Sequence, residues 1–300
     1  MAVPVFFGAV SCNAFLDREP MSSVPPEAYY KTAAQLEADL NSEYPNILPS
    51  FGQWTYGIFG EDKGTDNQIE TSANNRYTTD RWKVPHSESG NWTFERIYRV
   101  NFLLSEALSK FGDDMSGSKN TISGDVATIK HYIGEAYFLR AYEYFRKLQL
   151  FGDFPIIDQP LTDDKEALRE ASRRYPRNEV ARFILSDLDK ACAYMSDMDM
   201  ATTRINKDAA LLIKSRVALF EATWLQNFKG TAFVPGGEGW PGAALYGNYE
   251  YPSGSLENEV KYFLEQAVEA SGTVAEKYKG SLTENTGTLQ QSSSDPANPY

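Results

Sequence analysis

The chain has 300 residues, of which 42% are apolar and 23% charged, enough to build a substantial core and too apolar for the disordered class. A formal net charge of −12, with no run of Lys and Arg, excludes a general affinity for nucleic-acid phosphates and leaves neutral partners such as sugars unaffected. Only two histidines, His86 and His131, and two distant cysteines, Cys12 and Cys192, are present, which leaves little from which to build a zinc site, a histidine dyad or a disulfide framework.

The chain opens with MAVPVFFGAVSCNAFLDREP. The apolar run over residues 1–10 is too short to span a bilayer. It lacks the positive start of a complete secretory signal, yet it resembles the end of a signal core followed by a small residue and Cys12. Acylation of Cys12 would anchor a soluble domain to a membrane surface, and an ordinary leader is the other reading. Residues 1–20 are accordingly read as signal remnant, lipid-anchor cysteine and tether, and residues 21–300 as one domain.

After Pro20, Pro25 and Pro26 the segment 27–41 predicts an amphipathic helix. Residues 45–92, rich in Gly, Asn, Thr, Ser and Pro, read as a long loop. From residue 93, Ile97, Val100, Leu104 and Leu108 recur at helical spacing, and FGDD ends that helix. A longer helix over 122–150 carries Val126, Ile129, Ile133, Tyr137, Ala141, Tyr144 and Leu148. Gly152 stops it, Pro155 blocks a restart, and FPIID follows as a short extended piece. Further helices are predicted over 177–196, over 207–228 behind the capping residue Asn206, and over 257–278. A second irregular segment occupies 230–256, and the tail beyond residue 280 is polar and turn-rich. The expected fold is mostly α, with tetratricopeptide-like helix pairs and long irregular loops.

Paired carboxylates would serve a glycosidase, and Glu135, Glu143, Asp153 and Asp158 lie among aromatics. Glu135 and Glu143, however, are eight residues apart on one helix, about 12 Å along its axis, which is wide for a pair flanking one bond. No nucleophile elbow, H-E-x-x-H or P-loop occurs. The expectation is no catalytic residue, no metal and no cofactor. Sugar binding is better supplied, because aromatic rings cover the C–H faces of sugars while amides and guanidinium groups read hydroxyls. The segment NNRYTTDRWKVPHSESGNW offers Asn75, Tyr77, Arg81, Trp82, Asn91 and Trp92, and TAFVPGGEGWPGAALYGNYEYPSG offers Trp240, Tyr246 and Tyr249. Each aromatic also has a packing alternative: Trp92 stapling the helix that begins near 93, Trp82 filling the core, and Trp240 with its tyrosines plugging helix ends. Arg140 and Arg146 either snorkel or bond carbonyls at a neighbouring helix end, and Arg216 reads as a structural anchor beside an apolar stripe. Cys192 reads as a buried thiol.

Four stretches, in order over residues 12–224, resemble the SusD/RagB family of outer-membrane lipoproteins. SCNAFLDREP resembles the family's mature start, matching at Cys12, Phe15, Leu16, Asp17 and Pro20. GEAYFLRAYEYFRKLQLFGDFPII resembles its A-x-F-L-R-A signature, matching at Ala136, Phe138, Leu139, Arg140, Ala141, Tyr144, Phe145, Phe151, Gly152 and Pro155. PRNEVARFILSDLDKA and RINKDAALLIKSRVALFEATW resemble two further helices of the family, the latter at Lys207, Ala209, Ala210, Arg216, Val217 and Leu219. The resemblance implies a helical-repeat scaffold, no hydrolytic activity, a lipid anchor at Cys12, and a position on the outer membrane facing the cell exterior. It further implies capture of a glycan or oligosaccharide and its delivery to a SusC-like TonB-dependent transporter. Peptide or another nutrient on the same scaffold, and a structural adaptor with no ligand of its own, are the alternatives. The resemblance also implies a fuller signal before Cys12 and a large region beyond Tyr300, so an incomplete chain, and a site shared with further residues, are expected.

Overall fold

The computed structural model describes residues 29–49, 79, 90–112, 114–195 and 203–281. Cys12, Asn75, Tyr77, Arg81 and Trp82 lie outside that set. Eight helices occur among the described residues: α1 (Ala33–Ile47), α2 (Glu95–Phe111), α3 (Val126–Phe151), α4 (Lys165–Ala171), α5 (Arg177–Tyr194), α6 (Lys207–Asn227), α7 (Ala243–Tyr246) and α8 (Leu256–Tyr278). A two-residue antiparallel pair, β1 (Phe154–Pro155) with β2 (Arg174–Tyr175), closes the connection between α3 and α5. The fold is mostly α, as the periodicity predicts.

The helix starts follow from capping chemistry. Asp125, Asn206 and Ser255 each accept an amide N–H of the first turn of α3, α6 and α8. The first helix departs from the prediction, beginning at Ala33 rather than residue 27. Thr32 and Gln35 form a capping box there, which fixes the start. Tyr30 takes φ 56, in the left-handed region, and Thr32 bridges to Ser123, so residues 30–32 are held out of helical geometry. The helix then runs on to Ile47 despite Pro45, shortening the loop expected from residue 45. At the far end of α3, Gly152 takes φ 68 and its N–H returns to the Leu148 carbonyl, the stop that the sequence predicts.

Helix α3 is the centre of the array. α1 and α2 pack on it, α5 packs against it elsewhere, and contacts then pass from α5 to α6 and from α6 to α8. Its apolar stripe therefore proves wider than the predicted row: Tyr132, Ala136, Phe138, Leu139 and Phe145 are buried along with Ile129, Ile133, Ala141, Tyr144 and Leu148, while Val126 is exposed. Each fully buried aliphatic side chain of this kind contributes about 1.5–3 kcal/mol. The approach of α3 to α5 is close enough to need a glycine. A Cβ on Gly134 would stand 2.8 Å from Met195 Cγ and 3.0 Å from the Ala191 carbonyl oxygen.

Charges inside the array are paired. Arg140, buried on α3, donates to Asp187 on α5 through Nε at 2.7 Å and Nη2 at 2.8 Å. Its Nη1 donates to Asn101 Oδ1 on α2 at 2.9 Å and to the Asp158 carbonyl at 2.8 Å. One guanidinium thus ties three elements together rather than snorkelling. Arg146 reaches the Ile47 carbonyl at the end of α1, at 3.5 Å. Arg216 is not an anchor. It is exposed, and the buried cation of α6 is Lys214, whose Nζ donates to Asp189 Oδ1 at 2.6 Å. The buried face of α6 runs through Ala210, Lys214, Val217, Ala218, Glu221 and Leu225, leaving Arg216 outside it. Cys192 is half-buried, and burial pushes its thiol up to about 11. No described helix is long and apolar enough to cross a membrane.

Candidate functional site

The turn that ends α3 places Asp153 at the N-terminus of α5. Pro176, the N-cap of α5, has no side chain that can cap it, so Asp153 supplies the acceptor instead. Its Oδ1 accepts the Arg177 N–H at 2.9 Å, and its Oδ2 accepts the indole Nε1–H of Trp240 at 2.8 Å. Burial raises the Asp153 pKa above the usual carboxylate value, against the opposing pull of these hydrogen bonds and of the Arg177 charge. The Arg177 guanidinium grips Glu221 of α6 in fork geometry, at 3.0 Å from Nε and 2.9 Å from Nη2. It also lies 4.2 Å from the ring centroid of Trp224. Glu221 is wholly buried, and burial raises its pKa while Arg177 pulls it down.

Asp153, Arg177, Trp224 and Trp240 line a cavity of ≈ 570 Å³ between the end of α3, the start of α5, the end of α6 and the segment leading into α7. Phe151, Trp224, Phe233, Trp240 and Leu245 supply its walls, and Asp153, Arg174 and Arg177 its polar groups. Phe233 is 61% exposed and stands at the mouth with Leu150 and Leu245, which are also exposed. Aromatic walls above a few converging polar groups form a surface suited to a small ring-shaped ligand.

Trp240 reaches the cavity, as its place in a polar segment suggests, but only as part of the wall. Its ring is 4% exposed, stacked on Tyr246 at 5.9 Å and tilted against Tyr249 at 5.5 Å. Tyr246 and Tyr249 do not line the cavity; their hydroxyls fasten the segment to the base of α5. Tyr246 donates to the Arg174 carbonyl at 2.8 Å. Tyr249 bonds Asn178 Oδ1 at 3.1 Å and Glu179 Oε1 at 2.9 Å, and burial raises its phenol well above the usual value. Tyr251 donates to the Pro235 carbonyl at 2.6 Å. Trp92 stands behind the cavity wall, edge-on to Phe151 and Phe154, with the Arg174 guanidinium 4.4 Å from its ring centroid. Asn91 lies beside a smaller recess, and its carbonyl accepts from Lys147 Nζ at 2.9 Å.

The sequence reading missed Trp224, Phe233, Arg174 and Arg177 as site residues. Trp224 and Arg177 belong to helical patterns, and nothing local distinguishes them from packing residues. Glu135 and Glu143 do not form a reactive pair. Glu135 is gripped by Arg204 and lies 3.2 Å from His131, while Glu143 sits among Arg96, Arg146 and Lys147. Among the described residues no group of three or more metal-ligating side chains gathers.

Residues 14–219 match the SusD-like family model described as starch-binding, associating with outer membrane. SusD-like protein P2 of Formosa agariphila is 27% identical over 75% of this chain and 43% of its own length. SusD-like protein P25 of the same organism is 25% identical over 73% of this chain and 42% of its own length. The matched region therefore spans less than half of either relative. Among solved structures, a SusD-like carbohydrate binding protein from Bacteroides vulgatus overlays on 86% of this chain and 47% of its own, with a TM-score of 0.46 and 13% identity.

Proposed function

Since the chain belongs to the SusD-like family, we propose that it captures a glycan or oligosaccharide in the cavity beside the end of α3. The observation that carries the reading is the pairing of exposed Phe233 at the mouth with the Arg174, Arg177 and Asp153 floor. A sugar ring laid on Phe233 would point its hydroxyls toward groups able to donate and accept. Asn75, Tyr77, Arg81 and Trp82 remain candidate contributors to the same ligand. The action is capture and release with no covalent chemistry. The chain would be anchored through an acylated Cys12 to the outer membrane, facing the exterior, and would hand its ligand to a SusC-like TonB-dependent transporter. The family's association with the outer membrane supports that placement.

Calorimetric titration with maltooligosaccharides, other neutral and charged oligosaccharides and a peptide panel tests the reading. One oligosaccharide class is expected to bind, and Phe233→Ala to weaken it about tenfold, equivalent to about 1.4 kcal/mol, with unchanged helical content. Unchanged affinity in Phe233→Ala removes this cavity from the site. Binding of peptides alone removes the glycan.

A further inference from the structure

A second recess, of ≈ 200 Å³, lies next to the cavity, and Leu150 lines both. Its walls bring together Arg96 of α2 with Arg146 and Lys147 of α3. Among the described residues the buried carboxylate there is Glu143, which all three cations share. Arg96 Nη1 stands 3.7 Å and Arg146 Nη1 3.4 Å from its Oε2, and Lys147 Nζ stands 3.3 Å from its Oε1. Glu95, the other acid at the rim, is exposed and directed to Arg99 at 3.1 Å. Lys147 is buried and also satisfied by the Asn91 carbonyl. The two arginines are different. Their side chains are 38% and 45% exposed, and their ion pairs are long. Arg146 Nη1 also reaches the Ile47 carbonyl at 3.5 Å, and among the described residues the remaining N–H donors of both arginines are open to a further acceptor. Thr93 and Glu95, at the start of α2, complete the rim, so the positive end of that helix dipole also faces the recess. In a chain of net charge −12 this is a local surplus of positive charge.

We infer that the recess between Arg96 and Arg146 is an anion subsite, which takes the carboxylate of a uronic acid or the sulfate ester of a saccharide lying across Leu150 in the cavity. Two forked guanidinium groups facing one small opening match an oxyanion with two or three acceptor oxygens. The inference rests on glycan capture for the molecule that carries the anion, but the recess itself stands without it.

The experiment pairs two measurements on the wild type and on Arg96→Gln/Arg146→Gln. Both replaced side chains are part-exposed, so the fold is expected to hold, which circular dichroism checks. First, inorganic sulfate is titrated at constant ionic strength while the arginine Nε–H signals are followed by NMR. The Arg96 and Arg146 signals should move saturably in the wild type. Second, galactotriose, trigalacturonate and sulfated galactotriose are compared by calorimetry. At least one charged form is expected to bind tenfold or more tighter than the neutral form, and the double variant to reduce that preference to about twofold. The tighter of the two charged forms identifies the source of the anion. Arginine signals that do not respond to sulfate overturn the inference, as does a charge preference that survives in the double variant. If sulfate binds as expected and no oligosaccharide of any class binds, the anion subsite stands and glycan capture falls. If neutral and charged sugars bind equally and sulfate has no effect, capture stands and the subsite falls.

Discussion

Replacing Arg140 with Met should be among the most damaging single changes in the scaffold. The substitution removes four hydrogen bonds: two to Asp187, one to Asn101 and one to the Asp158 carbonyl. Asp187 is fully buried, and among the described residues its remaining cation is half-exposed Lys190, 3.8 Å away. An uncompensated buried charge of this kind costs about 3–5 kcal/mol. The companion Asp187→Leu leaves the Arg140 guanidinium stranded and should cost a similar amount. The double variant Arg140→Met/Asp187→Leu removes both charges and keeps apolar bulk. It should therefore recover about 2 kcal/mol relative to Arg140→Met alone. It should not reach wild type, because Asn101 and the Asp158 carbonyl each lose a partner, at about 1–3 kcal/mol for a buried polar group. Urea denaturation followed by circular dichroism measures all four proteins, with equal m-values confirming that stability alone has changed. A double variant no more stable than Arg140→Met would show that the guanidinium acts through its contacts to α2 and the 158 turn rather than through the ion pair.

Two further outcomes follow from the same packing. Glu259 is buried, which alone would raise its pKa, but donors from Arg182, Asn178 and Ser253 hold it below the ordinary 4.5. Its contribution is therefore present above pH 4.5 and lost as pH falls through the lowered folded value. The stability gap between wild type and Glu259→Gln, read from urea midpoints, should shrink on acidification below that point, and a constant gap would sink the argument. Gly134→Ala gains about 1 kcal/mol of helix propensity but forces a Cβ against Met195 and the Ala191 carbonyl. Thermal melts should show a net loss of about 1–3 kcal/mol, whereas a stabilised variant would mean that α3 and α5 part without cost.

Much of the scaffold was legible because its boundaries are written in local chemistry. Asn206 caps α6, Gly152 stops α3 and Pro155 bars its restart, so those limits hold to within a residue or two. The start of α1 was not legible. Tyr29 and Tyr30 belong to a helical pattern, and what sets the described helix to start after them is a bridge from Thr32 to Ser123, far along the chain. The same limit governs Arg216. Periodicity locates an apolar stripe, but α6 is covered by both α5 and α8, and that double contact selects Lys214 for burial. At the cavity, composition marked Trp240 as notable without revealing its role. The commitment of its indole N–H to Asp153 requires the end of α3 and a segment nearly ninety residues later to meet. Arg177 belongs to a helical motif by sequence and becomes a floor residue only when α3, α5 and α6 converge.

The tyrosine fastenings of the segment before α8 bear on the kinetics of whatever enters the cavity. Glycines at positive φ, Gly236, Gly239, Gly247 and Gly254, would leave this stretch with many conformations if it were untethered. Three phenol hydroxyls and one indole N–H hold it in one of them before any ligand arrives. Entry past this segment then requires no ordering of it, so its part in association adds no folding step. Under the proposed capture and release, discrimination between ligands would fall to residence time, which can be tuned without rebuilding the wall.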